Sequence, residues 1–208
     1  ATPEAREFDA SVTDLAFDPA GKFLAVAVGT RVELLAYPPG GPPIRPLEHG
    51  RKVERLAISE DGQRLATTTD DYVLRVWDLS SGAQIGVGTQ YSTAVYDIAL
   101  PGAGEHVVIA ANDSNVTFWD IAAGSLVGLP LSVPGRVTGL AVTPDGRHLF
   151  TAGVAAPVRR WELALPPDSV TEMADLTTLA TGLRSGEAGP EPVSSGEWRR
   201  LRDSRATR

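Results

Sequence analysis

Cysteine is absent from all 208 residues, which removes disulfide bonds and thiolate metal sites from consideration. Long apolar runs are missing too. None approaches the ~20 residues a membrane-spanning helix needs, and the N-terminus lacks the charged-then-apolar order of a secretory signal. Positive charge is scarce: the formal net charge is −7, so the broad basic face expected of a nucleic-acid or anionic-lipid binder is not provided. Catalytic signatures are equally thin. There is no Gly-x-Ser-x-Gly elbow and no His-Glu-x-x-His pair, and Gly102-Ala103-Gly104 has the chemistry of a turn rather than of a phosphate loop. The expectation is a soluble, cytoplasmic chain with no catalytic residue, cofactor or metal, and with no nucleic-acid or membrane partner. Its first residue is Ala rather than Met, which suggests a fragment, a domain or a processed product.

What the chain does have is a period. Trp77-Asp78, Trp119-Asp120 and Trp161-Glu162 are spaced 42 residues apart. Four segments also begin alike, at Val12, Val53, Val95 and Val137, and each leads into a turn that closes on Gly21, Gly62, Gly104 or Gly146. Glycine suits the last position of such turns, where φ is often positive. From the last three of these glycines to the following Trp the distance is 15 residues, so the hairpin register is preserved. The first copy is degenerate, with Leu35 in place of Trp and a loop one residue shorter. Alternating Val, Ile, Leu and Thr in these runs favour half-buried antiparallel strands over helices.

A repeat of about 40–45 residues ending in Trp-Asp resembles the WD-repeat β-propellers, over roughly residues 9–165. The resemblance implies an all-β protein of four four-stranded antiparallel blades: 9–50, 51–92, 93–134 and 135–167. Outer strands are expected near Ile44–Leu47, Gln84–Val87 and Leu126–Leu129, and the last blade lacks its own. The family also implies a buried network within a blade, linking a His, a Ser or Thr, an Asp and the Trp. Blade 2 has all four in His49, Thr67, Asp71 and Trp77, while Asp113 with Trp119, and Trp161 with Thr151, are partial copies. This places His49 and Asp71 in a structural network rather than a hydrolytic triad. His106 and His148, 42 residues apart, are expected at surface strand starts.

Beyond the repeats, Ser169-Val170-Thr171-Glu172 has the form of a capping box opening a helix, Ser185–Pro192 reads as a flexible link, and 168–208 forms a short helical tail. This tail resembles the ends of bacterial multidomain proteins in which WD repeats follow a kinase or NTPase module. Four blades leave ring closure open: the chain may belong to a longer ring with upstream blades, self-associate into eight, or close alone. Residues 1–8 are positioned to act as a closing strand. The function expected is a non-enzymatic protein–protein interaction scaffold, with a regulatory or sensor domain of a larger kinase or NTPase protein as the alternative. An enzyme with a site in the channel is a third reading. Candidate partner-binding residues lie in loops at one end of the blades: Arg51, Lys52, Tyr72, Tyr91, Asn112, Asn115 and Arg136.

Overall fold

A computed structural model describes residues 6–39, 44–112, 114–143, 146–154 and 156–163, together with two short strands at 183–186 and 189–192. Every described element is a strand. Blade 1 comprises β1 (Val12–Phe17), β2 (Phe23–Val28), β3 (Arg31–Ala36) and β4 (Leu47–Glu48). Blade 2 comprises β5 (Val53–Ile58), β6 (Arg64–Thr69), β7 (Val73–Asp78) and β8 (Ala83–Gln90). Blade 3 follows with β9 (Val95–Ala99), β10 (His106–Ala111), β11 (Asn115–Asp120) and β12 (Ser125–Ser132), and blade 4 with β13 (Arg136–Val142), β14 (His148–Val154) and β15 (Ala156–Glu162). Within each sheet the strands pair antiparallel in chain order, and blade 4 has three among the described residues.

The turns behave as their composition dictates. Gly21, Gly62, Gly104 and Gly146 all sit at φ between 67° and 72°, and each amide donates back to the carbonyl three residues earlier. Outer strands are more variable. β4 is only two residues long, because Pro38, Pro39, Pro42, Pro43 and Pro46 supply no ladder donor along the preceding stretch.

A second regularity is invisible in the sequence. The pairing of each inner strand with its neighbour slips by one residue at the same place, leaving Thr13, Glu54, Tyr96 and Thr138 outside the ladder. Such bulges bend the strand and re-aim the extra side chain. Here they sit at the start of every inner strand.

Three apolar clusters cement the blades. Ala25, Ala27, Val32 and Leu34 on the rear of blade 1 pack on Val53, Leu56, Leu65 and Trp77 on the front of blade 2. Ala66, Leu74 and Val76 meet Val95, Ile98, Val107 and Ile109 in the same way. Val108, Ala110, Val116 and Phe118 meet Val137 and Leu149 of blade 4. Side chains alternate across each strand, so one sheet supplies a rear face to the next blade and a front face to the previous one. The inner strands β1, β5, β9 and β13 therefore neighbour one another in sequence order, while no comparable packing joins β13 to β1 among the described residues.

Three expectations change at the ends. Of residues 1–8, only 6–8 are described; they form no strand, and Arg6 pairs with Glu33 at 3.2 Å. The expected helix at 169–182 lies outside the described residues. Leu183–Gly186 and Gly189–Pro192 pair as an antiparallel hairpin (β16 and β17) where a flexible link was expected, with Gly186 opposite Gly189 at its tight end.

Candidate functional site

Blade 2 holds the polar network that its sequence suggests, in a different arrangement. Trp77 Nε1 donates to Thr67 Oγ1 at 3.0 Å, and His49 Nε2 lies 2.8 Å from the same hydroxyl. His49 Nδ1 lies 2.8 Å from the Leu47 carbonyl, and its ring is tilted against Trp77 with centroids 4.7 Å apart. The two ring nitrogens are thus committed within the blade. Burial drives the His49 pKa down from 6.5 to about 4, with the Leu47 carbonyl opposing the shift and the Arg75 charge reinforcing it. A neutral imidazole joined to a Thr and a Trp is structural, since no nucleophile stands exposed beside it.

Asp71 turns away from His49. Its carboxylate accepts the Thr69 hydroxyl at 2.6 Å, which holds its pKa below the ordinary carboxylate value. The physical reason is reach: Leu47 already takes the His49 Nδ1 edge, and Thr69 lies on the same hairpin as Asp71. In blade 4, Trp161 Nε1 donates to Thr151 Oγ1 at 3.0 Å, a two-member version of the network. In blade 3 the Thr position is Ile109, and Trp119 packs against the cluster between blades 2 and 3. Asp113 lies outside the described residues.

The acid after each Trp has its own task. Asp78 Oδ1 accepts from the amides and hydroxyls of both Ser80 and Ser81, and Asp120 Oδ1 accepts from the Ala123 amide at 2.7 Å. These carboxylates close the turn into the outer strand. His106 departs from the surface position expected of it. Its side chain is mostly covered, and Nε2 stands 3.6 Å from Asp120 Oδ2 across the hairpin.

At the opposite end of the blades, backbone bonds gather the hairpin loops with the connections between blades. Asp70 N donates to Lys52 O, Tyr91 N to Tyr72 O, and Asn112 N to Ala94 O. This brings Arg51, Lys52, Tyr72, Tyr91 and Asn112 to one end. Arg51 Nε pairs with Asp70 at 3.0 Å and Lys52 Nζ with Glu54 at 2.8 Å, so the small basic stretch is neutralised locally. Tyr91 packs into the cluster between blades 2 and 3, and Asn115 is half-buried at the start of β11. Tyr72 is exposed and held at φ 65°, an uncommon conformation for a residue other than glycine.

Tyr96 was not among the expected residues, yet it organises this end. It is the bulged residue of blade 3. Its hydroxyl donates to Asn112 Oδ1 at 3.0 Å and accepts from Arg136 Nη1 at 3.2 Å, while the Arg136 guanidinium lies over its ring, 5.2 Å from the centroid. Between Tyr72 and Tyr96 opens a cleft of about 270 Å³ at the boundary of blades 2 and 3, lined also by Glu54, Arg55 and Asp70. The only hint in the sequence is an aromatic at a position that is Thr or Glu in the other copies.

Among the described residues, no group of three or more His, Asp or Glu is placed to hold a metal ion, and no helix is long and apolar enough to cross a membrane. No curated protein matches the chain. Residues 41–78 match the family model of the WD domain, G-beta repeat. That match spans the strands carrying the His49, Thr67 and Trp77 network, and the same strand order, turn glycine and bulge recur in the sheets on either side. Four such sheets in propeller order, one of them matched by the family model, identify the chain as a WD-repeat β-propeller protein.

Proposed function

We propose that this chain is a non-enzymatic interaction scaffold that holds a protein partner at the loop end of blades 2 and 3. The observation that carries the reading is the cleft between Tyr72 and Tyr96, with Arg136 and Asn112 fixing one wall. Aromatic and Arg side chains with restricted rotamers make effective interface anchors, because little conformational entropy is lost when they are covered. The bulge that lifts Tyr96 from the ladder belongs to a rigid sheet, so the surface is preformed. Overall acidity and the self-paired Arg51 and Lys52 disfavour a polyanion as the partner. Arg51, Lys52, Tyr72, Asn112 and Arg136 form the rim in this reading, and Tyr91 and Asn115 support it from within the blades.

The test is affinity capture with the 208-residue chain from cells that produce it, comparing wild type with Tyr72→Ala/Tyr96→Ala and with Gln84→Ala on the outer strand of blade 2. Proteins retained by wild type and Gln84→Ala should be lost from the double variant, with its cooperative melting preserved. An unchanged set of captured proteins would rule out this face.

A further inference from the structure

Equivalent positions in the four blades differ in one respect. Val53, Val95 and Val137 are 0–8% exposed, whereas Val12 at the same position of blade 1 is 44% exposed. Leu56 and Ile98 are 6% and 5% exposed, but Leu15 is 58%. Phe17, at the position of the buried Leu100, is 54% exposed and packs edge-on against Tyr37, itself largely exposed. The far end mirrors this. Val32, Leu74 and Val116 are fully or nearly fully buried on the rear of blades 1 to 3, while Val158 at that position of blade 4 is 71% exposed. These are not scattered surface apolar groups. They are the residues that make the three internal boundaries, left uncovered at the two ends of the arc.

The two ends are also of opposite kinds. Blade 1 presents a bare front and blade 4 a bare rear, and a front against a rear is the contact made three times inside the chain. Within those contacts the counterparts of Val158 and Leu15 share a cluster each time: Val32 with Leu56, Leu74 with Ile98, and Val116 with Leu140. We infer that a second copy of this chain covers both ends, the rear of blade 4 in each copy seating on the front of blade 1 in the other, to give a closed eight-bladed ring. A head-to-tail contact either closes or propagates into a filament. Two arcs of four blades close at eight, within the range of closed propellers. A partner of another kind would need to offer both a blade front and a blade rear at the right separation, and a copy of this chain offers them by construction.

The side-chain links across blade boundaries fit this division. Asp14 reaches the Leu56 amide, Arg55 the Tyr96 carbonyl and Asp97 the Leu140 amide, whereas the fourth position is Gly139, which has no side chain to extend. The boundary between copies therefore rests on apolar packing alone.

The experiment is sedimentation equilibrium or light scattering of the full 208-residue chain at micromolar concentration. The expected mass is twice that of one chain. Leu15→Asp and Val158→Asp should each yield single chains with cooperative melting retained, since both side chains are exposed within one copy, while Val87→Asp on an outer strand leaves the mass doubled. A wild-type mass of one chain, a concentration-dependent series of larger assemblies, or a doubled mass that survives both end substitutions would each overturn the inference. For a variant that fails to fold, Leu15→Ser and Val158→Ser provide the milder substitution with the same readout.

Discussion

The Asp14 carboxylate binds two backbone amides at once, that of Leu15 on its own strand at 2.9 Å and that of Leu56 on the next blade at 3.0 Å. Asp97 repeats the device between blades 3 and 4, binding Ile98 N at 2.9 Å and Leu140 N at 2.6 Å. These carboxylates tie inner strands together where no ladder hydrogen bond connects them.

Replacing Asp14 by Ala should therefore cost about 1–3 kcal/mol, because the Leu56 amide loses a charged acceptor in a half-buried position. Asp14→Asn keeps one acceptor oxygen and should cost less. Equilibrium denaturation in urea measures both, and an Ala variant as stable as wild type would deny the link any energetic role.

Burial raises the Asp97 pKa, with the Leu140 and Ile98 amides opposing the shift. A raised carboxyl pKa means that the charge is disfavoured in the fold, so Asp97→Asn should be close to neutral or slightly stabilising at pH 7. Its denaturation curve beside that of Asp14→Asn provides the check. A loss as large as that of Asp97→Ala would contradict it.

Thr67 and Thr151 occupy the same blade position with different numbers of partners. Thr67→Val strands both His49 Nε2 and Trp77 Nε1 in a buried site and should cost about 2–4 kcal/mol; Thr151→Val leaves only the half-buried Trp161 N–H unpaired and should cost about 1 kcal/mol. The difference between the two melts, rather than either alone, reports the extra His49 contact.

His49 makes stability depend on pH in a defined window. Its folded pKa is about 4 against 6.5 for the ordinary group, so between these values the unfolded chain takes up a proton that the folded chain refuses. Stability falls as pH drops through this range, by at most about 3 kcal/mol, and the loss is complete below the folded value. His49→Gln should flatten this part of the stability–pH profile; a slope unchanged by the substitution would assign it to other groups.

The φ of 65° at Tyr72 gives a way to separate docking from stability. Tyr72→Gly accepts that backbone without strain, and Tyr72→Ala does not, so the Gly variant should be the more stable of the two by up to ~1 kcal/mol. Both remove the ring and should lose the partner equally. A Gly variant that still captures the partner would show that the ring is not an anchor.

How much of this was legible in the sequence depends on whether a feature follows a period. Strand positions, turn glycines and the Trp sites are fixed by spacing, so four copies corroborate one another, and residues such as Val53 and Leu65 announce themselves as core. Outer strands were placed less well: β4 shrank to two residues under its prolines. The role of Tyr96 was not legible, because a bulge is a relation between two strands and leaves no mark on either alone. Asp71 illustrates a different limit. Its residue type and place suited the His49 network, but proximity to the Thr69 hydroxyl decided its bond. The bare faces at the two ends were equally hidden, since Leu15 and Val158 read in sequence like their buried counterparts.

Each blade touches only its immediate neighbours, and in such arrays stability is a sum of local and nearest-neighbour terms. Blades 2 and 3 have a neighbour on both sides, whereas blades 1 and 4 have one each within the chain. Backbone amides of β6 and β10 should thus be the last to exchange with deuterated solvent, and those of β3 and β14 the first among paired strands, giving a gradient from the middle outwards. Covering the two bare ends would level that gradient, so the rate at which the outermost blades take up deuterium reads directly whether the arc stands alone.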